Sequence, residues 1–176
     1  DGDNTKGLSR EHTVLASRSG LVTVTGGKWT TYRAMAEDVL EKCFEKSLLK
    51  RAEGGVTTHL MLVGGGPVST GWQSICAAPG LHSYGTEQSM VQELPGANAV
   101  LTDGLTEAMV RYAARFEYAR TVEDVLARRS RLLFLDARLA KSLAGQVAAV
   151  LLEETGQDPQ MAAFEALADN YLRLPA

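Results

Sequence analysis

Residues 21–33 read Leu21-Val22-Thr23-Val24-Thr25-Gly26-Gly27-Lys28-Trp29-Thr30-Thr31-Tyr32-Arg33. Leu21 to Val24 are mostly β-branched, with Thr23 the polar member, and spell a short strand that Gly26-Gly27 stops. Two glycines, a lysine and two threonine hydroxyls then fill a turn that runs straight into an amphipathic helix. Such a turn brings backbone N–H groups, a positive charge and a helix N-terminus to a phosphate or another electron-rich group. The plainer reading is a glycine turn with a helix cap.

Spacing excludes the familiar nucleotide motifs. A P-loop needs glycine where Val22 stands and Ser or Thr where Trp29 stands. The G-x-G-x-x-G dinucleotide fingerprint is absent from this stretch.

Working outward, Thr13-Val14-Leu15 is a second, weaker strand. Ser17-Arg18-Ser19-Gly20 suits the tight turn of a small hairpin. Downstream, Tyr32, Met35, Ala36, Val39, Leu40, Cys43, Phe44 and Leu48 form one apolar helical stripe. Asp38 and Lys42 are spaced as a favourable i,i+4 pair. Glu53-Gly54-Gly55 reads as a linker, and His59 to Val63 as a short extended segment broken by Gly64-Gly65-Gly66-Pro67. The triple glycine suits a flexible loop, with a phosphate nest as the alternative.

From about residue 103 the pattern is helical. Asp103 is placed to cap a helix with Leu105, Ala108, Met109, Tyr112, Ala113 and Phe116 inward. Thr121-Val122-Glu123-Asp124 resembles a capping box. Asp136 caps a helix that ends before Gly156. Asp158-Pro159 opens a last helix with Phe164, Leu167, Ala168 and Tyr171 inward. Residues 67–174 therefore read as a compact helical bundle or array.

Composition sets the outer bounds. With 45% hydrophobic and 22% charged residues, the chain has the make-up of a folded soluble protein. A net charge of −3 gives no strong electrostatic case for nucleic acid or for an anionic membrane. Cys43 and Cys76 form neither a disulfide framework nor a C-x-x-C pair, and read as reduced thiols. His12, His59 and His82 lack metal-ligand spacing, so no metal site is expected. No apolar run reaches the roughly 18–20 residues of a spanning helix, and no signal peptide is visible. The polar start Asp1-Gly2-Asp3-Asn4, without methionine, predicts a piece of a longer chain.

The stretch from Leu21 to Asp38 closely resembles the end of the FAD-binding domain in the FAD-dependent, quinone-linked glycerol-3-phosphate dehydrogenases. Ser9-Arg10-Glu11-His12 is similar to that family's S-R-x-H/Y segment. Residues Glu117 to Leu132 resemble the signature of its helical C-terminal domain. The resemblance runs from about residue 9 to about residue 173.

It implies a mainly α chain, in which a helical C-terminal domain follows the strand–turn–helix remnant of an FAD-binding α/β domain. The expected divisions are 1–52 for the remnant, 53–66 for a linker and 67–176 for the helical domain. Gly27, Lys28, Trp29 and Thr30 would neighbour FAD, with Lys28 near the substrate phosphate and the flavin N1–C2=O edge. Arg10 would face substrate or cofactor.

The whole enzyme would oxidise sn-glycerol 3-phosphate to dihydroxyacetone phosphate and pass electrons to quinone. It would act in the cytoplasm, at peripheral contact with the inner face of the cytoplasmic membrane. The family's diphosphate-binding glycines are absent here, which implies an upstream FAD and substrate domain as partner and little activity in this piece alone. Two alternatives stand beside this reading. One is a glycerol-3-phosphate oxidase, with oxygen as acceptor. The other is a non-catalytic helical module docking a partner through Arg115, Arg120, Arg128, Arg129 and Arg131, although Glu117, Glu123 and Asp124 supply counter-charges for a solvated face.

Overall fold

A computed structural model describes residues 11–52, 54–67, 73–74 and 76–173. The fold is mainly α, and the described strands form only two two-stranded sheets. Two compact units divide the chain, Asp1–His59 and Leu60–Ala176.

In the first unit, β1 (His12–Ala16) pairs antiparallel with β2 (Val22–Gly26), and His12 stands opposite Gly26. Ser17 closes the connection: its backbone N–H donates to the Leu21 carbonyl at 2.9 Å, and its Oγ accepts from the Leu21 N–H at 3.1 Å. A single 3-10 turn, Trp29–Thr31, leads into α1 (Tyr32–Glu45).

Helix α1 ends before Leu48, the last member of the expected stripe. Ser47 turns left-handed at φ 56°. Its N–H donates to the Phe44 carbonyl at 3.0 Å and that of Leu48 to the Cys43 carbonyl at 2.9 Å. That is a Schellman closure with serine in the place usual for glycine. The expected Asp38–Lys42 pair does not form. Lys42 bridges Glu45 at 3.0 Å, and Asp38 reaches the β1 residue His12 instead. His59–Val63 forms no strand; no described strand lies beside it, and a turn closed by the His59 N–H on the Val56 carbonyl ends at its first residue.

In the second unit a short helix α2 (Gln88–Glu93) precedes α3 (Glu107–Phe116), on which the unit is built and which is buried from Ala108 to Ala114. Helix α3 packs against α5 (Ala137–Thr155), which in turn packs on α6 (Met161–Leu172). Small side chains at Ala140, Ala144 and Ala148 keep one face of α5 low, with Leu143, Val147, Val150 and Leu151 filling the core beside them. Asp136 caps α5 as expected, accepting the Leu139 N–H at 2.9 Å, and Gly156 ends it at φ 65°.

Asp103 does not cap a helix. It lies with Gly104 in the turn between β3 (Val100–Thr102) and β4 (Leu105–Thr106), and Thr106 caps α3 through its Oγ1. Gly104 is required there: φ is +77°, and a Cβ would fall 2.3 Å from the Pro79 carbonyl oxygen. Asp158 accepts the Gln160 N–H, yet α6 starts only at Met161, because Gln160 sits left-handed at φ 56°. Tyr171 points outward and meets Phe134 of α4 (Leu132–Leu135) edge-on at 5.6 Å. Gly64 is held by the Thr86 N–H on its carbonyl at 3.2 Å, so the triple glycine begins with a packed turn.

Burial of α3 leaves one charge in need of partners. Arg111 bonds Glu153 and Glu154 of α5, each at 2.7 Å, and Arg115 one turn later grips Glu154 through two nitrogens. Arg115 and Arg111 hold the Glu154 carboxyl below its ordinary range against the opposing effect of burial. A depressed folded-state pKa adds stability above the ordinary carboxylate pKa, and that stability is lost as pH falls through the folded value. Glu154→Gln is therefore expected to cost about 2–3 kcal/mol at neutral pH. It is also expected to flatten the acid limb of stability below pH 5, read by urea unfolding across pH.

Candidate functional site

The glycine turn of the first unit is built by two glycines in the left-handed region, Gly26 at φ +79° and Gly27 at φ +82°. A Cβ at Gly26 would lie 2.6 Å from the Glu11 carbonyl oxygen. One at Gly27 would lie 2.5 Å from Met35 Sδ and 3.3 Å from His12 Cβ. The turn thus lies flat between β1 and α1, and bulk at either position would push it away.

Lys28 follows in extended conformation at φ −127°, ψ 153°. Its N–H donates to Thr31 Oγ1 at 3.2 Å, and that hydroxyl donates back to the Lys28 carbonyl at 2.9 Å. The Thr31 N–H also donates to the Lys28 carbonyl, at 3.0 Å. Thr31 is therefore consumed in closing the turn. The N–H groups of Trp29 and Thr30 at its head have no intrahelical acceptor. Among the described residues the Lys28 ammonium has no ion-pair or hydrogen-bond partner.

Lys28 borders an open apolar groove of about 680 Å³. Val24, Trp29, Tyr32, Met35 and Val39 form its walls, and Gly27 lies along it. Trp29 is 90% exposed, with its ring 6.3 Å from that of Tyr32. Of the residues singled out in the sequence, Gly27, Lys28 and Trp29 line this groove; Thr30 is exposed beside them and does not line it. Ser9 and Arg10 lie outside the described residues. Two residues that the sequence reading gave no site role are joined here: His12 donates from Nε2 to Asp38 Oδ2 at 2.6 Å. The pair is 26 positions apart, and no local pattern announces it.

The second motif, Glu117 to Leu132, is a clasp. Tyr118 turns left-handed at φ 58° after α3, and the Arg120 guanidinium stacks 4.1 Å above its ring while bonding the Ala114 and Ala119 carbonyls. Thr121 and Asp124 close the expected box in both directions. A π-helix, Asp124–Arg129, follows, its widened turn shown by the Ser130 N–H on the Val125 carbonyl. Burial works against the charge on Asp124, but the N–H groups of Arg120 and Thr121 hold its carboxyl below the ordinary value. Arg128 pairs with Glu123 and Asp124, and Arg129 donates to the Glu117 backbone carbonyl.

Four of the five arginines are thus engaged inside the fold, and Arg131 has no described partner. A cavity of about 200 Å³ lies under the clasp, between Tyr84, Gly104 and Ser130. Burial pushes the Tyr84 hydroxyl up to about 12, so it stays protonated. No group of three or more His, Cys, Asp or Glu residues able to hold a metal occurs among the described residues.

Residues 22–162 match the family described as the C-terminal domain of alpha-glycerophosphate oxidase. Glycerol-3-phosphate dehydrogenase SDP6, mitochondrial, of Arabidopsis thaliana is 35% identical over 86% of this chain and 29% of its own length. A probable mitochondrial glycerol-3-phosphate dehydrogenase of Dictyostelium discoideum is 39% identical over 77% of this chain and 24% of its own. The mitochondrial glycerol-3-phosphate dehydrogenase of Homo sapiens is 31% identical over 88% and 24%. The chain spans less than a third of the length of these relatives. No solved structure gave a significant match.

The geometry sets a clear expectation for the turn. Gly27→Val adds both a strained left-handed side chain and a collision with Met35 and His12. It is expected to displace Lys28 and weaken the unit by about 2–3 kcal/mol, seen as faster amide hydrogen exchange across residues 22–36, with the helical unit unaffected.

Proposed function

The chain belongs to the family of the C-terminal domain of alpha-glycerophosphate oxidase, and on that premise we propose that it is the closing part of an FAD-dependent sn-glycerol-3-phosphate dehydrogenase. The whole protein would oxidise glycerol 3-phosphate to dihydroxyacetone phosphate and deliver the electrons to quinone. One observation carries the reading: the Gly26-Gly27 turn presents an unpartnered Lys28 ammonium beside an apolar groove.

These residues fit one flank of a flavin. Val24, Trp29, Tyr32 and Met35 offer apolar surface to a flat ring, and glycine backbone lets such a ring come close. Gly27, Lys28, Trp29 and Thr30 would hold the isoalloxazine side of FAD. The residues that would grip its diphosphate are not in this sequence. When bound, FAD supplies the acceptor for a hydride from the substrate.

The chain's own contribution is electrostatic. Lys28 sets a fixed positive charge where negative charge develops on oxidation of the substrate, and the same charge attracts the substrate phosphate. Because Thr31 holds the Lys28 backbone at both its N–H and its carbonyl, the root of the lysine stem is in place before substrate arrives. Once covered by the upstream domain, the apolar walls would exclude water and strengthen that interaction. Arg10 belongs to the same reading as a second cation toward substrate.

An upstream FAD and substrate domain would cover the surface that this unit leaves open. Leu15, Leu21, Trp29 and Tyr32 are each more than half exposed, and Cys43 is the one described residue of the unit that is buried. Standing alone, the chain would be inactive. No described helix is long and apolar enough to cross a membrane. The reading places the whole protein in the cytoplasm, at peripheral contact with the inner face of the membrane. The relatives are named dehydrogenases, which supports a dehydrogenase, while the family description names an oxidase and keeps oxygen as the alternative acceptor.

The test uses the full-length protein that carries this sequence. It is expected to be yellow, to reduce a quinone analogue with glycerol 3-phosphate, and to form little hydrogen peroxide. Lys28→Ala should lower kcat/KM by about 100-fold. Turnover close to wild type in that variant would remove Lys28 from the site, and dominant peroxide formation would assign the oxidase instead.

A further inference from the structure

Resting on the reading above, we infer that His12 and Asp38 are positioning residues that set where the Lys28 ammonium lies. The two side chains join β1 to α1 across the turn, Nε2 to Oδ2, at 2.6 Å. His12 stands opposite Gly26 in the strand register, so its backbone is the floor on which the glycine turn rests. Its Cβ is also one of the nearest atoms to the open side of Gly27, with Met35 of α1 on the same side. The dipeptide before Lys28 is thus held between a strand and a helix, and the His12 side chain lies beside the turn at its Cβ and bonds the helix at its ring.

Asp38 anchors that imidazole. It sits on the second turn of α1, the helix whose first turn begins at the Thr31 closure. With the pair formed, β1, the glycine turn and the start of α1 make one closed circuit. Lys28 leaves this circuit at its most exposed corner, and no described side chain holds its ammonium. The backbone under it fixes where the lysine stem begins and so the space its ammonium can reach, and the circuit fixes that backbone.

Exposure separates this role from simple stabilisation. The His12 side chain is 19% exposed and that of Asp38 61% exposed. An ion pair so open to water contributes little to stability. What it supplies is a side-chain tie, at the end of β1 nearest the glycine turn, between two elements that also pack directly on one another. A small drift of a charged group relative to substrate is costly to substrate recognition while leaving the fold in place.

The experiment is a double-mutant cycle in the full-length flavoprotein, read by KM for glycerol 3-phosphate, flavin midpoint potential, flavin content and melting temperature. Asp38→Ala is expected to raise KM by about tenfold. It should also shift the flavin midpoint potential to a more negative value, with flavin content and melting temperature close to wild type. Asp38→Asn keeps an oxygen acceptor for the imidazole N–H and is expected to restore most of the KM. In a Lys28→Ala background, Asp38→Ala should change neither KM nor potential further, because the group it positions is gone.

His12→Ala should match Asp38→Ala; if His12→Ala does not fold, the Asp38 pair of variants at the exposed end decides alone. Unchanged KM and potential in Asp38→Ala, or an equal KM effect with and without Lys28, would overturn the inference. So would lost flavin or a lower melting temperature with no change in KM. Lys28→Ala with wild-type KM and potential would instead overturn the functional reading on which the inference rests.

Discussion

Two consecutive residues without side chains, Gly26 and Gly27, hold the first unit together. Both sit in the left-handed region, and both lie where a Cβ would strike a neighbour. Because of that, β2 can end against β1, reverse over His12 and enter α1 within a few residues. The groove, the exposed Trp29 and the unpartnered Lys28 all follow from this close approach. A bulkier turn would separate strand from helix, and the cation would leave the apolar wall beside it.

The helical unit solves a different problem. Its central helix α3 is buried nearly all round, which leaves Arg111 in the core needing two carboxylates from α5. The clasp from Glu117 to Leu132 ends α3 with Arg120 and returns to it with Arg129. Arginines that look like a docking face in the sequence are mostly spent on carbonyls and carboxylates of their own unit. Charge density along a sequence says little about a partner until the intramolecular acceptors are counted.

Much of this was legible in the sequence for physical reasons that can be named. Gly-Gly after a β-branched run, and apolar stripes at helical spacing, are local signals, and β2, α1, α3, α5 and α6 carry them. Asp103-Gly104 was ambiguous: the same pair suits a helix cap and a hairpin turn, and only pairing between β3 and β4 decides. Ser47 and Gln160 take left-handed conformations that their residue types do not advertise, which moved the end of α1 and the start of α6. The π-helix and the His12–Asp38 contact were invisible because one depends on a local widening and the other on elements far apart in the chain. Within the candidate site, Gly27, Lys28 and Trp29 were readable from the motif, while the role of Thr31 in closing the turn emerged only from its hydrogen bonds.

Family membership and geometry meet at one place, the corner where Lys28 leaves the turn. The helical unit accounts for most of the family match, yet the chemistry assigned to the whole protein touches this chain through a handful of residues before Arg33. The most direct measurement is a structure of the full-length protein with its flavin and glycerol 3-phosphate bound. The account predicts the isoalloxazine along the groove of Val24, Trp29 and Tyr32, with the Lys28 ammonium about 3 Å from the flavin pyrimidine edge or the substrate phosphate. A flavin bound elsewhere, with the groove covered by protein and Lys28 in solvent, would contradict it.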